Sequence, residues 1–73
     1  MAQRRDKQLI KKISARIREI RTHAGVTQEQ FYNDTEIHIG RLERAQLNIR
    51  VTTLKVVCDY FGITLKEFFE PLE

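Results

Sequence analysis

The chain reads as an all-α domain of five short helices, and three observations say so. Apolar residues recur at helical steps of three and four, glycines and capping residues cut the pattern into short segments, and no stretch alternates long enough to make a convincing strand. With 73 residues it is expected to form a single domain. A domain of this size buries only about 60% of the surface its unfolded chain exposes.

Helix 1 is expected over about Lys7–Ala24, where Ile10, Ile13, Ile17, Ile20 and Ala24 share one face and Lys11, Lys12, Arg16, Arg18 and Arg21 fill the others. Arg4 and Arg5 add to the same basic run. Gly25 ends the helix, because glycine takes a left-handed position at little cost. Thr27-Gln28-Glu29-Gln30 is a capping-box pattern that opens helix 2 at Gln28, with Phe31 as its first clear core residue and an end near Asn33. Asn33-Asp34-Thr35 reads as turn or cap chemistry, so helix 3 is expected over about Glu36–Arg44. In that reading Thr35 is the N-cap, Glu36 lies in the first turn, and Ile39 and Leu42 face the core. Gly40 weakens this helix by roughly 1 kcal/mol relative to alanine, so packing must hold it. Ala45–Arg50 has no periodicity and reads as a loop. Helix 4 follows over about Thr52–Phe61, burying Leu54, Val57, Cys58 and Phe61, with Gly62 as its stop. A second capping box, Thr64-Leu65-Lys66-Glu67, opens helix 5 over about Leu65–Glu70, and Pro71 closes it.

An apolar fraction of 41% and a charged fraction of 32% are ordinary for a soluble globular protein. No apolar run approaches the roughly 18 residues of a membrane span, and the first residues lead into charge rather than an apolar signal core, so no membrane partner and a cytoplasmic setting are expected. One cysteine, Cys58, and two histidines, His23 and His38, offer no disulfide and no metal-site spacing. Cys58 is expected to serve as a small buried hydrophobe. No nucleophile stands beside a base and no glycine-rich phosphate loop is present, so neither an enzyme nor a cofactor is expected. The net charge of +3 is unevenly spread: residues 1–25 hold eight Lys/Arg against two acids, and residues 26–73 hold five against eight. Such a basic segment is either a solvated helix face or an electrostatic footprint for nucleic acid.

Taken in order, Arg16-Ile17-Arg18-Glu19-Ile20-Arg21, Gly25-Val26-Thr27-Gln28-Glu29-Gln30-Phe31, Arg41-Leu42-Glu43-Arg44, Asn48, Leu54 and Tyr60–Phe69 form a connected pattern. It resembles the Cro/repressor-type helix-turn-helix family, also called Xre-like, over roughly residues 13–69. The resemblance implies a lambda-repressor-like DNA-binding domain, with the helix-turn-helix formed by helices 2 and 3 and the third helix lying in the major groove. It also points to a prokaryotic, phage or plasmid-encoded protein. Between Phe31 and Leu42 the chain is a few residues shorter than the family pattern, and it lacks the usual turn glycine. If the shortening lies in helix 2 and the turn, Thr35 caps a full-length helix 3. If it lies at the start of helix 3, His38 becomes the cap and nearly a turn of reading surface is missing. The first placement is preferred, because threonine caps better than histidine.

Carried onto this chain, the family's base-reading positions fall on Glu36, Ile37 and Arg41, with His38 close by. Arg41 suits a bidentate contact to guanine, and Ile37 either touches a thymine methyl or packs in the core. Glu36 either accepts from a cytosine amino group or only complements the helix dipole. Thr27 and Gln28 at the start of helix 2, with Arg44, Asn48 and Arg50 around the following loop, are the expected phosphate contacts. Arg21 and Glu43 match positions that form a partly buried ion pair between the first and third helices. Tyr60, Phe68, Phe69 and Leu72 are expected to supply a dimer surface.

Two functions remain open on this reading. The first is a sequence-specific transcriptional regulator that binds a pseudo-palindromic site on double-stranded DNA as a homodimer. The alternative is a protein-interaction module, antitoxin-like or adaptor-like, that keeps the fold and binds a protein partner with little or no DNA binding.

Overall fold

The computed structural model describes residues 6–45 and 48–72. The loop residues Gln46 and Leu47 and the basic pair Arg4 and Arg5 lie outside the described residues. The fold is all-α, with five helices in the order α1 (Lys7–His23), α2 (Gln28–Thr35), α3 (Ile39–Glu43), α4 (Val51–Tyr60) and α5 (Leu65–Phe69), and a 3₁₀ turn over Glu70–Leu72. No strand occurs among the described residues.

Capping chemistry sets most of the boundaries. The Asp6 carboxylate accepts from the Leu9 N–H at 2.9 Å and starts α1, a cap the sequence reading did not name. At the other end Gly25 has φ +73°, and the Gly25 and Val26 N–H groups donate to the Thr22 and Arg21 carbonyls. This paired pattern closes a helix whose chain then turns away. The end of α4 repeats it around Gly62, at φ +70°, through Gly62 N–H to Asp59 and Ile63 N–H to Cys58. Thr27 caps α2 through the Gln30 N–H. Thr64 and Glu67 complete a reciprocal capping box at α5, at 3.0 and 2.9 Å.

The start of the third helix departs from expectation. Helix 2 does not stop near Asn33 but continues to Thr35, whose hydroxyl donates back to the Phe31 carbonyl at 2.8 Å and accepts from the Ile37 N–H at 3.1 Å. Thr35 is therefore the last residue of α2 and not the cap of α3. Glu36 takes the left-handed conformation, at φ 61° and ψ 17°, with its N–H on the Tyr32 carbonyl. It occupies the place of a turn glycine. The chain reverses there because both isoleucines beyond it must reach the core: Ile37 packs against the core at its edge and Ile39 is 1% exposed. Helix α3 begins only after His38, which caps it without a side-chain hydrogen bond. Five residues at about 1.5 Å each give a rod of roughly 7.5 Å, so about one turn of the expected Glu36–Arg44 helix is absent.

Ile17, Phe31, Ile39, Leu54, Val57, Cys58 and Phe68 form the buried core. Phe31 is fully buried and touches Tyr60 edge-on at 4.7 Å and Phe61 in a stack at 5.8 Å. Cys58 is fully buried, and burial pushes its thiol up from the ordinary value, which suits a packing role rather than a reactive one. Arg16 on α1 donates to the Phe68 and Glu67 carbonyls at 3.0 and 3.1 Å, drawing α5 onto the first helix.

Two measurements test this account. A non-glycine residue in the left-handed region costs about 1–2 kcal/mol, of which glycine gives back part as extra freedom of the unfolded chain. Glu36→Gly is therefore expected to stabilise the chain by ~0.5–1 kcal/mol, a rise of several degrees in Tm, whereas Glu36→Ala gains nothing. Equal melting curves for the three proteins would contradict the turn. At α5, the hydrogen bond from the Thr64 N–H, reinforced by the Thr64 hydroxyl, holds the Glu67 carboxyl below its ordinary 4.5. A carboxylate so depressed stabilises the fold above its unfolded value and loses that contribution as pH falls through the folded one. The Tm gap between the native chain and Glu67→Ala should thus be full at neutral pH and close as pH drops below 4.5; a gap that persists in acid counts against the capping box.

Candidate nucleic-acid interface

The site is built around a charge clamp. Arg21, in the last turn of α1, meets Glu43 at the end of α3 through a two-pronged pair: Nε to Oε2 at 2.6 Å and Nη2 to Oε1 at 3.1 Å. Its remaining arm donates from Nη1 to the Val26 carbonyl at 2.9 Å. Gln28, the first residue of α2, donates from Nε2 to Glu43 Oε1 at 3.1 Å. Only 12% of the Arg21 side chain and 5% of the Glu43 side chain are exposed. The Glu43 hydrogen bond and charge hold the Arg21 guanidinium above its already high value, outweighing the opposing effect of burial. A carboxylate with three donors and a guanidinium with three acceptor contacts form a nearly closed polar unit.

Outside the clamp lies an open groove of about 450 Å³ between α2 and α3, lined by Gln28, Glu29, Tyr32, His38, Ile39, Gly40, Arg41 and Arg44. Gly40 lets the two helices approach this closely. A Cβ there would stand 3.1 Å from Gln28 Oε1, so a larger residue would press on the side chain that braces Glu43.

Of the residues singled out from sequence, Gln28, His38, Arg41 and Arg44 meet at this groove. Thr27 stands just before it, its oxygen occupied by the Gln30 N–H. The Gln28 amide is engaged with Glu43, which reduces what it has left for a phosphate. Asn48 and Arg50 are exposed but do not line the groove. Two expected base readers are displaced. Glu36 sits in the left-handed turn after α2 and not in the first turn of α3, so it neither lies along a reading helix nor complements that helix's dipole. Ile37 packs against the core, which removes it from a reading surface.

The four residues expected at a dimer surface differ in burial. Phe68 is fully buried, and Tyr60, Phe69 and Leu72 pack against the same core. The Tyr60 hydroxyl donates to Asp34 Oδ2 at 2.5 Å, and that bond pushes its phenol up from the ordinary value. Tyr60, Phe69 and Leu72 thus stay partly exposed, while Arg16 ties α5 to α1. Among the described residues, the large apolar side chains that do stand exposed are Leu9, Tyr32, Val51 and Val56, spread over three helices.

Tyr32 is the groove residue the sequence reading missed. It lies one turn after Gln28 on the outer side of α2, 40% exposed beside a wholly buried Phe31, and its ring stacks on His38 at 4.4 Å with 26° between the planes. A large ring next to the core position of an otherwise polar helix was the available signal. No family model, curated protein or solved structure matches the chain.

The clamp yields a stability prediction. An exposed pair contributes ~0–1 kcal/mol, and breaking a buried pair costs ~3–5 kcal/mol. This one lies at the edge of the core, so Glu43→Gln is expected to cost about 2 kcal/mol and to lower the Tm by roughly 10 °C. Thermal unfolding followed by circular dichroism measures it, and an unchanged melt would show that the pair contributes little.

Proposed function

We propose that the chain is a helix-turn-helix DNA-binding regulator that meets duplex DNA with the α2–α3 face. The observation that carries the reading is the convergence of His38, Arg41 and Arg44 on one open groove, set on a base made rigid by the Arg21–Glu43 clamp. The ordered resemblance to the Cro/repressor-type family supports it, and so does the basic excess of the first segment. Arg41, exposed on α3, is the proposed guanine reader. Arg44, exposed just beyond, is a proposed phosphate contact. The affinity would come largely from the phosphates, since a five-residue α3 offers few side chains to base edges. One protomer would cover one half-site, and paired half-sites about one helical turn apart would mark a two-fold dimer.

One observation favours a second reading. The shortness of α3, together with carboxylates at Glu29 and Glu36 beside it, suits a surface that binds a protein partner and leaves DNA alone. Selection of fragments from random duplex DNA, followed by mobility-shift titration at two salt concentrations, separates the two. On the DNA-binding reading, affinity falls steeply with salt, Arg44→Ala weakens all sequences alike and lowers the salt slope by about one, and Arg41→Ala relaxes the preference at one base pair, by ~5–100-fold. Failure to enrich any duplex, alongside capture of a specific protein, would overturn that reading in favour of the partner-binding one.

A further inference from the structure

We infer that Tyr32 contacts a base, reading the 5-methyl group of a thymine, and that His38 is the residue that positions it; this rests on the DNA-binding reading above. The expected first turn of the third helix is missing, and what borders the vacated position is the Tyr32–His38 stack. Tyr32 comes from α2 and His38 from the cap of α3, so the pair spans the two elements that define the groove. The Tyr32 ring stands outside the core cluster and is 40% exposed. Its orientation is nevertheless fixed, because the imidazole lies against it at 4.4 Å. An exposed aromatic ring already held in place loses little freedom on binding, which is what a contact residue needs.

The chemistry of the groove selects the base. Glu29 lies on the Tyr32 side and repels a phosphate there, while Arg41 and Arg44 lie on the α3 side and attract one. What faces Tyr32 is therefore the interior of the DNA groove and not the backbone. There the ring edge offers an apolar surface. Thymine alone among the four bases presents an apolar group in the major groove, its methyl. A plain brace between α2 and α3 would produce the same stack but no dependence on that methyl.

The test uses the full chain, the duplex recovered by selection, and copies of it in which each thymine in turn is replaced by deoxyuridine, which removes only the methyl. The native chain is expected to bind about fourfold more weakly when one particular thymine of the half-site is changed. Tyr32→Ala should bind both duplexes equally, Tyr32→Phe should keep the preference, and His38→Ala should reduce it without abolishing it. A melting curve confirms that each variant is folded; should Tyr32→Ala not fold, Tyr32→Gln, which keeps the length without the ring, makes the same comparison. A folded Tyr32→Ala or Tyr32→Gln protein that retains the native thymine preference overturns the inference and leaves the DNA-binding reading standing. A native chain that binds no duplex overturns both.

Discussion

A helix of five residues has no stability of its own, because nucleating the first turn fixes several dihedral angles for a single hydrogen bond. Helix α3 exists because its two ends are held from outside: Ile39 is sunk in the core at the start, and Glu43 is gripped by Arg21 and Gln28 at the finish. The grip joins the end of α1, the beginning of α2 and the end of α3 in one hydrogen-bonded unit. Remove it and the third helix keeps only its apolar anchors, Ile39 and Leu42, and the groove wall it forms is no longer tied to α1 and α2. The geometry of the face that includes Arg41 and Arg44 therefore depends on an ion pair that is itself largely buried.

The core answers a second constraint, which is size. A chain this short has few large apolar side chains to spare for its surface, and every aromatic residue but Tyr32 and the two histidines packs in or against the core. Phe31 gathers Tyr60 and Phe61 around itself, and Phe68 and Phe69 pack edge-to-face at 5.1 Å. Arg16 contributes at the far end of the chain: its guanidinium takes up two carbonyls near the end of α5, and it lies 5.8 Å from the centre of the Phe68 ring. Charge on α1 is thus partly structural, with Arg16 and Arg21 acting as struts and Lys11 and Arg18 left on the exposed side.

What could be read from the sequence was local chemistry. Gly25, Gly62, Thr27 and the Thr64–Glu67 pair mark helix ends by properties confined to a few neighbouring residues, and those ends lie where the pattern put them to within one residue. The turn after α2 was not legible for the same reason turned around. Thr35 followed by Glu36 has the composition of a helix start, a capping hydroxyl and then an acid in the first turn, and only the need to bury both Ile37 and Ile39 decides against it. That need is tertiary, as is the burial of Phe68, whose segment is tied to α1 by an arginine 52 positions away. The Arg21–Glu43 pair came from the family resemblance, since nothing in its spacing alone joins two residues 22 apart. Tyr32 was not legible because its partner His38 reaches it only through the turn after α2.

The shortening also changes what kind of surface the α2–α3 face is. A full-length third helix is a convex rod, and its side chains reach base edges because the rod itself enters the groove. With α3 reduced to five residues and Gly40 letting α2 close upon it, the face becomes a shallow trough with contact groups on both walls. Long side chains must then make up the reach that the backbone no longer supplies, and arginine and tyrosine are the residues that do this with least loss of freedom per contact. Their distribution fits: Tyr32 on one wall, Arg41 and Arg44 on the other, and His38 at the join. In a trough the spacing between walls fixes which groups can act together, and the clamp helps to set that spacing by tying the end of α3 to the start of α2.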